Sequence, residues 1–212
     1  MADTASLEEL TDWLARFQAL VVENQAYLTE LDSAIGDADH GSNMARGMNT
    51  VELKLGSPAT IDALFKTAGM TLVSSVGGAS GPLYGTFFLR IGTTAGAVTE
   101  LDGAALAAAL RAGFAGVLAR GNAEPGDKTM VDAMGPALDA LDAGLGSGSS
   151  IAAAASAAAD AAAAGRDATE PLVARKGRAS YLGDRSAGHL DPGATSTAFL
   201  FRALADALGD AA

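Results

Sequence analysis

Apolar residues recur at alternating steps of three and four along most of this chain, which is the spacing that places them on one face of an α-helix. The first apolar stripe begins after Ser6 and extends to about Asp32, and polar Asn24 is its one interruption. Ser6 and Glu9 have the spacing of a capping box, which starts a helix. We therefore predict one long amphipathic helix between Ser6 and about Asp32.

Seven further stretches have helical spacing and are separated by glycine, proline or capping residues. Thr60, Thr99 and Thr195 have positions suited to helix starts, and Pro82 suits a first turn. No run alternates polar residues with β-branched apolar ones, so no strand is expected. The pattern predicts an all-α, single-domain bundle of about eight antiparallel helices over residues 1–212. The predicted helices comprise residues 6–32, 43–55, 60–77, 82–92, 99–120, 129–145, 151–165 and 194–208.

The composition indicates a folded protein, because 49% of the 212 residues are apolar and only 18% are charged. The chain contains no cysteine, which excludes disulfides and thiolate chemistry and fits a reducing compartment. Its net charge of -11 argues against nucleic acid as a partner, since phosphate backbones are bound by clustered lysine and arginine. The first residues lack the pattern of a signal peptide, and no run of about 18 apolar residues occurs. We expect a cytoplasmic protein with no nucleic acid or membrane partner.

Three aspartates, Asp32, Asp37 and Asp39, follow closely on one another at the end of the first predicted helix. Gly36 and Gly41 let the chain turn here, so the three carboxylates can converge although they would not share a face of a continuous helix. Converging carboxylates repel one another unless a hard divalent cation, Mg²⁺ or Ca²⁺, binds them. The spacing of these aspartates does not fit the Ca²⁺-binding loop of an EF-hand, so a site for Mg²⁺ together with a phosphate is the better interpretation. The alternative is that these aspartates only cap and turn helix ends.

The segment HGSN, residues 40–43, has the features of an anion-binding helix start. Backbone amides at the N-terminus of a helix point outward and bind anions, and we expect the next helix to begin at Asn43. His40 and Ser42 add side-chain donors. The alternative for His40 is a helix cap or a histidine in the core.

A second segment, SSVGGASGPLYG at residues 74–85, repeats this arrangement of a helix end, glycines and a helix start. It lacks the lysine and the spacing of a P-loop, but its amides near Ala79 and Ser80 could accept a phosphate. Taken alone, it is also compatible with an ordinary helix connection.

Two later segments are polar in the same way: GNAEPGDKTM at residues 121–130 and ARKGRASYLGDRSAGHLDPGATS at residues 174–196. The second predicts a local positive patch in an acidic chain, or else a solvated basic loop. Its Asp191, Pro192 and Gly193 predict a turn before the last helix. Together the four polar connections predict one end of the bundle that binds a phosphorylated ligand. The basic residues of the patch are Arg175, Lys176, Arg178 and Arg185.

The segments GDADHGSNMARG, SSVGGASGPLYGTFF, EPGDKTM and ARKGRASYLGDRSAGHLDPGATS occur in the same order in a known family. Along residues 1 to about 208, the chain resembles the nucleotide-binding L subunit of the phosphotransferase-system-dependent dihydroxyacetone kinase. The resemblance implies an eight-helix antiparallel barrel with the nucleotide at one end and two Mg²⁺ ions held by Asp32, Asp37 and Asp39. It also implies nucleotide contacts from His40, Gly41, Ser42, Asn43, Ala79, Ser80, Gly121, Met130, Arg178, Asp191, Pro192 and Gly193.

In that family, ADP stays bound as a coenzyme, is phosphorylated in place by a histidine-phosphorylated carrier protein, and passes the phosphoryl group to dihydroxyacetone on a separate kinase subunit. The resemblance thus implies a phosphotransferase subunit with no catalytic acid, base or nucleophile of its own. Its partners would be the dihydroxyacetone-binding kinase subunit and the phosphocarrier subunit, in a homodimer or hetero-oligomer.

Two alternative functions remain open at this point. One is a kinase subunit that exchanges ATP and serves another small ketose, as in single-chain ATP-dependent enzymes that carry a similar domain fused to a substrate domain. We expect cysteine in those enzymes at the position of His40. The other is a nucleotide-bound regulatory module that docks on a transcription factor.

Overall fold

A computed structural model of the chain describes residues 3–209, so the ends of the predicted 1–212 unit lie outside the described residues. Within that part of the chain there are nine α-helices, a short 3₁₀ segment at Arg178–Ser186 and two strands, β1 (Thr4–Ser6) and β2 (Glu100–Asp102). The helices are α1 (Leu7–Glu23), α2 (Gln25–Ile35), α3 (His40–Leu55), α4 (Ile61–Ser75), α5 (Ser80–Ala95), α6 (Gly103–Gly121), α7 (Val131–Gly146), α8 (Ile151–Asp167) and α9 (Pro192–Gly209).

Eight of these helices form a closed ring. Helix α1 packs on α3 and α3 on α4, and the ring continues through α5, α6, α7 and α8 to α9, which returns to α1. The remaining helix, α2, packs against α3 and α9. The predicted all-α class is confirmed, and the ring explains how eight amphipathic helices bury their apolar faces in one common core.

The first predicted helix is two helices in the structure, and the prediction of one continuous helix is wrong at Asn24. The backbone N–H and the side-chain amide of Asn24 both donate to the carbonyl oxygen of Leu20, at 3.0 and 2.9 Å. A side chain that bonds to the preceding turn in this way competes with helix continuation. The predicted capping box is confirmed, since the amide of Glu9 donates to Ser6 Oγ at 3.2 Å and the amide of Ser6 donates to Glu9 Oε2 at 2.7 Å.

The expectation that no strand occurs is also wrong. Strands β1 and β2 pair antiparallel, with Ala5 opposite Leu101, and both of these side chains are buried. A strand of three residues is too short to reveal itself by alternation in the sequence. Thr99 therefore does not cap the following helix; Asp102 does, because its Oδ1 accepts a hydrogen bond from the amide of Ala105 at 2.8 Å.

The start of α4 agrees with prediction in place but not in its contacts, and α5 starts two residues before the predicted Pro82. Thr60 precedes α4 as predicted, but its hydroxyl donates to Asp62 Oδ1 and makes no capping hydrogen bond to the helix. Helix α5 begins at Ser80, so Pro82 lies in its first turn without being its first residue. Proline fits there because the first-turn amides have no partner within the helix.

Helix α9 begins at Pro192, three residues earlier than the start predicted near Thr195. The side chain of Asp191 explains this, because its Oδ2 accepts a hydrogen bond from the amide of Ala194 at 2.7 Å. Aspartate is among the strongest N-cap residues for this reason. The turn predicted at 191–193 is therefore the capped first turn of a helix.

The core of the ring is built around stacked aromatic rings. Trp13 contacts Phe65 and Phe88 edge-on, with ring centroids 5.6 and 5.8 Å apart, and those two phenylalanines stack on each other at 5.8 Å. The indole N–H of Trp13 donates to the carbonyl oxygen of Leu200 at 2.8 Å, which ties α1 to α9. The polar atom of this fully buried tryptophan is thus satisfied, as burial requires.

Small residues let helices α7 and α8 approach each other closely in the ring. A Cβ at Gly165 of α8 would lie 2.3 Å from the carbonyl oxygen of Asp132, so only glycine fits against the start of α7. Helix α8 is rich in alanine and buries a stripe of it against its neighbours. The buried alanines are Ala154, Ala155, Ala158, Ala159 and Ala162.

Helix α6 is the single helix in residues 3–209 whose length and composition would allow it to cross a membrane. It packs between α5 and α7 in the ring. Its Arg111 makes ion pairs with Asp139 and Asp142 of α7, at 2.6 and 2.7 Å. A helix of the core of a water-soluble protein passes the same test of length and composition.

Candidate functional site

A cavity of about 880 Å³ lies at the end of the ring where α2, α4 and α6 end and where α3, α5, α7 and α9 begin. Its wall contains parts of all four polar, glycine-bearing connections that the sequence singles out. Because successive helices alternately end and begin there, they run in opposite directions. The antiparallel arrangement is therefore what brings these distant segments to one place.

The carboxylates of Asp32, Asp37 and Asp39 converge in this cavity. An oxygen from each lies within 4.8 Å of the oxygens of the other two. Two local features make this possible: Ala38 adopts a left-handed conformation with φ of 61°, and Gly36 leaves space beside Asp32, because a Cβ there would lie 2.0 Å from Asp32 Oδ1. The turn thus folds the three side chains back toward one point, which a continuous helix would not do.

This set of donors fits a hard divalent cation. It consists of carboxylate oxygens alone, which Mg²⁺ and Ca²⁺ prefer, and these oxygens lie close enough together to hold a metal ion. Asp32 is held in place by two amides, since its Oδ2 accepts from the N–H of Asp39 at 2.8 Å and from that of His40 at 3.1 Å. The amide of His40 is therefore used within the protein. Helix α3 begins at His40, so the start predicted at Asn43 is wrong by three residues.

His40 begins α3, and its ring lies between two serine hydroxyls. Its Nδ1 lies 3.1 Å from Ser80 Oγ and its Nε2 lies 3.0 Å from Ser196 Oγ. Burial lowers the pKa of His40 to about 4, although the nearby charges of Asp32 and Asp39 oppose that shift. The imidazole is therefore neutral at pH 7, with one ring nitrogen as donor and the other as acceptor.

The same network continues into the core through Tyr84. Its hydroxyl lies 2.8 Å from Ser196 Oγ and 3.0 Å from Thr197 Oγ1, and burial raises the pKa of Tyr84 to about 12. The chain of polar groups from Ser80 to Thr197 thus joins α3, α5 and α9, the three helices that begin around this part of the cavity. Such fully satisfied buried networks fix one relative placement of the elements that they connect.

Asp191 places a fourth carboxyl at the cavity, at the start of α9. Burial raises the pKa of Asp191 to about 7, the charge of Asp132 adds to that shift, and the amide hydrogen bond from Ala194 and the charge of Lys128 oppose it. The closeness of Gly193 to this group depends on its lack of a side chain, because a Cβ there would lie 3.0 Å from Asp191 Oδ2.

Basic residues also line the cavity. Arg178 Nε lies 2.9 Å from Asp37 Oδ2, and the Arg178 side chain is 67% exposed, so it can move toward a ligand. An acidic chain thus presents a mixed surface at this one place, with carboxylates for cations and nitrogen donors for phosphate oxygens. The basic residues that line the cavity are Arg120, Lys128, Arg175, Lys176 and Arg178.

The structure brings most of the sequence-predicted site residues to this cavity. Gly41 and Ser42 are the two that do not line it: Gly41 packs against α2, where a Cβ would lie 2.1 Å from the carbonyl oxygen of Gln25, and Ser42 Oγ donates to the carbonyl of Asp39 at 2.9 Å. The predicted residues that line the cavity are Asp32, Asp37, Asp39, His40, Asn43, Ala79, Ser80, Gly121, Met130, Arg178, Asp191, Pro192 and Gly193.

Sequence reasoning did not single out Lys128 or Tyr84. Lys128 lies in the EPGDKTM segment. A lysine close to several acidic residues in an acidic chain is the feature of the sequence that could have identified it as a site residue. Tyr84 gave no signal, because a tyrosine at helical spacing among phenylalanines is indistinguishable from an ordinary core residue.

Comparison of the amino-acid sequence with known protein families identifies the family of this chain. A family model for the DAK2 domain matches residues 34–206, which include each of the cavity-lining segments except the end of α2 at Asp32. The chain belongs to the DAK2 domain family. A relative of this chain, the ADP-binding subunit DhaL of the PEP-dependent dihydroxyacetone kinase of Escherichia coli K12, is 47% identical over 202 residues, which cover 94% of this chain and 96% of that relative.

A further relative and a solved structure are also named as dihydroxyacetone kinases or their subunits. The ADP-binding subunit DhaL of the PEP-dependent dihydroxyacetone kinase 1 of Listeria innocua is 46% identical over 196 residues, or 91% of this chain and 92% of that relative. The crystal structure of the dihydroxyacetone kinase from C. freundii in complex with AMP-PNP and Mg²⁺ matches with a TM-score of 0.71 and 31% identity. That match covers 92% of this chain and 33% of the longer kinase. The resemblance identified from the four motifs is confirmed.

Proposed function

We propose that this chain is the nucleotide-binding subunit of a dihydroxyacetone kinase and is therefore part of a phosphotransferase. It keeps ADP bound with two Mg²⁺ ions, receives a phosphoryl group on that nucleotide from a phosphocarrier subunit, and delivers it to dihydroxyacetone on a separate kinase subunit. The observation that carries this proposal is the convergence of three carboxylates with basic side chains and helix starts at one cavity, in a chain 47% identical to an ADP-binding subunit.

The residues of the cavity divide the work by their chemistry. Asp32, Asp37 and Asp39 hold the metal ions, which supply positive charge against phosphate oxygens and orient them. Arg178 adds a planar, always charged donor that suits phosphate. No general base in this chain is required, because the accepting hydroxyl belongs to the substrate on the partner subunit. The remaining nucleotide contacts that we propose are the predicted residues that line the cavity, namely His40, Asn43, Ala79, Ser80, Gly121, Met130, Asp191, Pro192 and Gly193.

We further propose that residues 1–212 act as one nucleotide-binding unit in the cytoplasm. It assembles with the dihydroxyacetone-binding kinase subunit and the phosphocarrier subunit, as a homodimer or hetero-oligomer. The names of the relatives as PEP-dependent kinase subunits support separate partner subunits. Docking on a transcription regulator is an additional partnership that a pull-down with and without the kinase subunit would reveal.

The first experiment is to denature the freshly purified, dialysed protein, remove the precipitate, and measure adenine nucleotide and Mg²⁺ in the supernatant. We expect about one ADP per chain, as a resident coenzyme requires. The Asp37→Ala variant should lose this nucleotide while keeping its helical circular dichroism, and the exposed Asp102→Ala variant should keep it. A wild type without nucleotide and with only weak ATP binding would contradict the proposal and favour an ATP-exchanging subunit or a regulatory module.

A further inference from the structure

The ammonium group of Lys128 is buried and surrounded by backbone carbonyl oxygens. Its side chain belongs to a residue that is only 1% exposed. Nζ lies 2.9 Å from the carbonyl oxygen of Thr169, 3.3 Å from that of Glu170, 3.1 Å from that of Leu172 and 2.6 Å from that of His189. An ammonium has three N–H donors, so these four acceptors use all of them and leave none for a phosphate.

The backbone at Lys128 is held in an unfavourable conformation to make these contacts. Its φ is 63°, in the left-handed region that is unfavourable for a residue other than glycine. The flanking turn is fixed by Asp132, whose carboxylate accepts from the amides of Gly126 and Thr129, and by Asp127, whose carboxylate accepts from the amide of Glu124. A strained residue persists only where its surroundings over-determine it, and here they direct the ammonium to one point.

The four carbonyl groups belong to both ends of one connection, which we call the strap and define as residues 168–191, between α8 and α9. Three of them lie at its beginning and one near its end. Two further hydrogen bonds join these ends, from the amide of Gly188 to the carbonyl of Glu170 at 2.8 Å and from the amide of Asp191 to Thr169 Oγ1 at 3.0 Å. The strap is thus a closed loop. Its two ends, residues 169–172 and 188–191, surround the ammonium, and we call them the neck of the strap.

The strap carries two of the groups that face the cavity. Arg178 lies in its middle and is joined to Asp37, and Asp191 is its last residue. The amide of Arg175 also donates to the carbonyl of Asp127 at 3.0 Å, so the turn that bears Lys128 contacts the strap at a second place. Movement of the neck would therefore shift both cavity groups at once.

We propose that Lys128 is a positioning residue that clamps the neck of the strap and thereby holds Arg178 and Asp191 at the nucleotide cavity. This inference rests on the proposed function only where it concerns the nucleotide. A cationic donor is required because four carbonyl dipoles point inward, and an apolar side chain would leave four buried acceptors without a partner. Arginine does not replace it, since its planar fork cannot direct donors at carbonyls arranged around a point.

The first test measures amide hydrogen exchange in nucleotide-free protein for the wild type, Lys128→Met and Lys54→Met. The last is a matched control, because Lys54 is an exposed lysine on α3. In Lys128→Met we expect exchange about tenfold faster in peptides from the strap, with α4 and α5 unchanged. Unchanged exchange in the strap would overturn the clamp. Equally faster exchange in α4 and α5 would overturn it too, because Lys128 would then support the fold as a whole.

The second test measures the affinity for Mg²⁺-ADP of the wild type, Lys128→Met, Arg178→Ala and the double variant. We expect Lys128→Met to weaken binding about tenfold, and the loss caused by Arg178→Ala to be nearly absent when Lys128 is already replaced, because both changes remove the same contact. Losses that multiply in the double variant would overturn the positioning role. If Lys128→Met does not fold, Lys128→Gln, which keeps two N–H donors, is used and should show a smaller effect of the same kind.

The two tests separate this inference from the proposed function. A wild type that binds no Mg²⁺-ADP would contradict the proposed function, and the exchange measurement would still decide whether Lys128 clamps the strap. A wild type that binds Mg²⁺-ADP, combined with a strap that exchanges equally in all variants, would contradict the clamp alone.

Discussion

Asp191 is a buried carboxyl whose ionisation should lower the stability of the fold. Its pKa is raised from the ordinary 3.8 to about 7, chiefly by burial. The folded state therefore binds the proton more tightly than the unfolded state does. Its contribution to stability is fully present below pH 3.8, is lost as the pH rises to about 7, and then changes no further. Asp191→Asn cannot ionise but keeps an oxygen that caps α9, so its stability should not follow this course.

The size of the effect follows from the pKa shift. Each pKa unit corresponds to about 1.4 kcal/mol, so the wild type should lose about 3 kcal/mol relative to Asp191→Asn between about pH 4.5 and about pH 7. Urea unfolding of protein free of metal and nucleotide, at half-unit intervals of pH, gives the free energy of unfolding by linear extrapolation. The difference between variant and wild type cancels the titration of all other groups that the two proteins share.

Asp102→Asn is the matched control for this experiment. Asp102 also caps a helix, since its Oδ1 accepts from the amide of Ala105 at 2.8 Å, but it is exposed to water. We expect its difference from the wild type to vary by less than about 0.5 kcal/mol over the same range. If the difference for Asp191→Asn were equally independent of pH, then Asp191 would not retain its proton in the folded protein, and the reasoning from burial would be refuted.

Three further substitutions test separate parts of the site. Gly36→Ala should weaken Mg²⁺ binding about tenfold with little change in Tm, because the new Cβ would lie 2.0 Å from Asp32 Oδ1 and displace that carboxylate. Titration calorimetry measures the affinity for Mg²⁺, and an unchanged affinity would contradict the prediction. Tyr84→Phe should lower the free energy of unfolding by about 1–3 kcal/mol, because Ser196 and a neighbouring threonine lose a buried partner; urea unfolding without any such loss would refute the network. Arg178→Lys should slow phosphoryl transfer about tenfold, since a point charge replaces a planar donor, and an unchanged rate would mark Arg178 as an ordinary surface charge.

The sequence was most informative where structure is local. Helical periodicity, the capping box at Ser6 and Glu9, and the glycine-rich connections identified the all-α class and most helix positions, because these features depend on residues within a few turns of one another. Asn24 was visible as a break in the apolar stripe, but its side-chain bond to Leu20 needed the backbone geometry of the preceding turn. The strands at Thr4–Ser6 and Glu100–Asp102 left no local pattern, because each is stabilised by a partner almost a hundred residues away.

The candidate site shows the same division. Sequence alone indicated that Asp32, Asp37 and Asp39 could share a cation, since glycine and short spacing make that convergence a local matter. The four polar connections were each ambiguous when taken singly, and their resemblance to one family came from their order along the chain.

Only the tertiary structure decided which of these groups meet and which partners they have. The antiparallel ring brings helix ends more than a hundred residues apart to one cavity, where His40 joins Ser80 to Ser196 and Lys128 reaches the neck of the strap. Burial then sets their chemistry, keeping His40 neutral and raising the pKa of Asp191. Desolvation and hydrogen bonding between distant segments depend on how the whole chain packs, whereas propensity and periodicity depend only on neighbours in sequence.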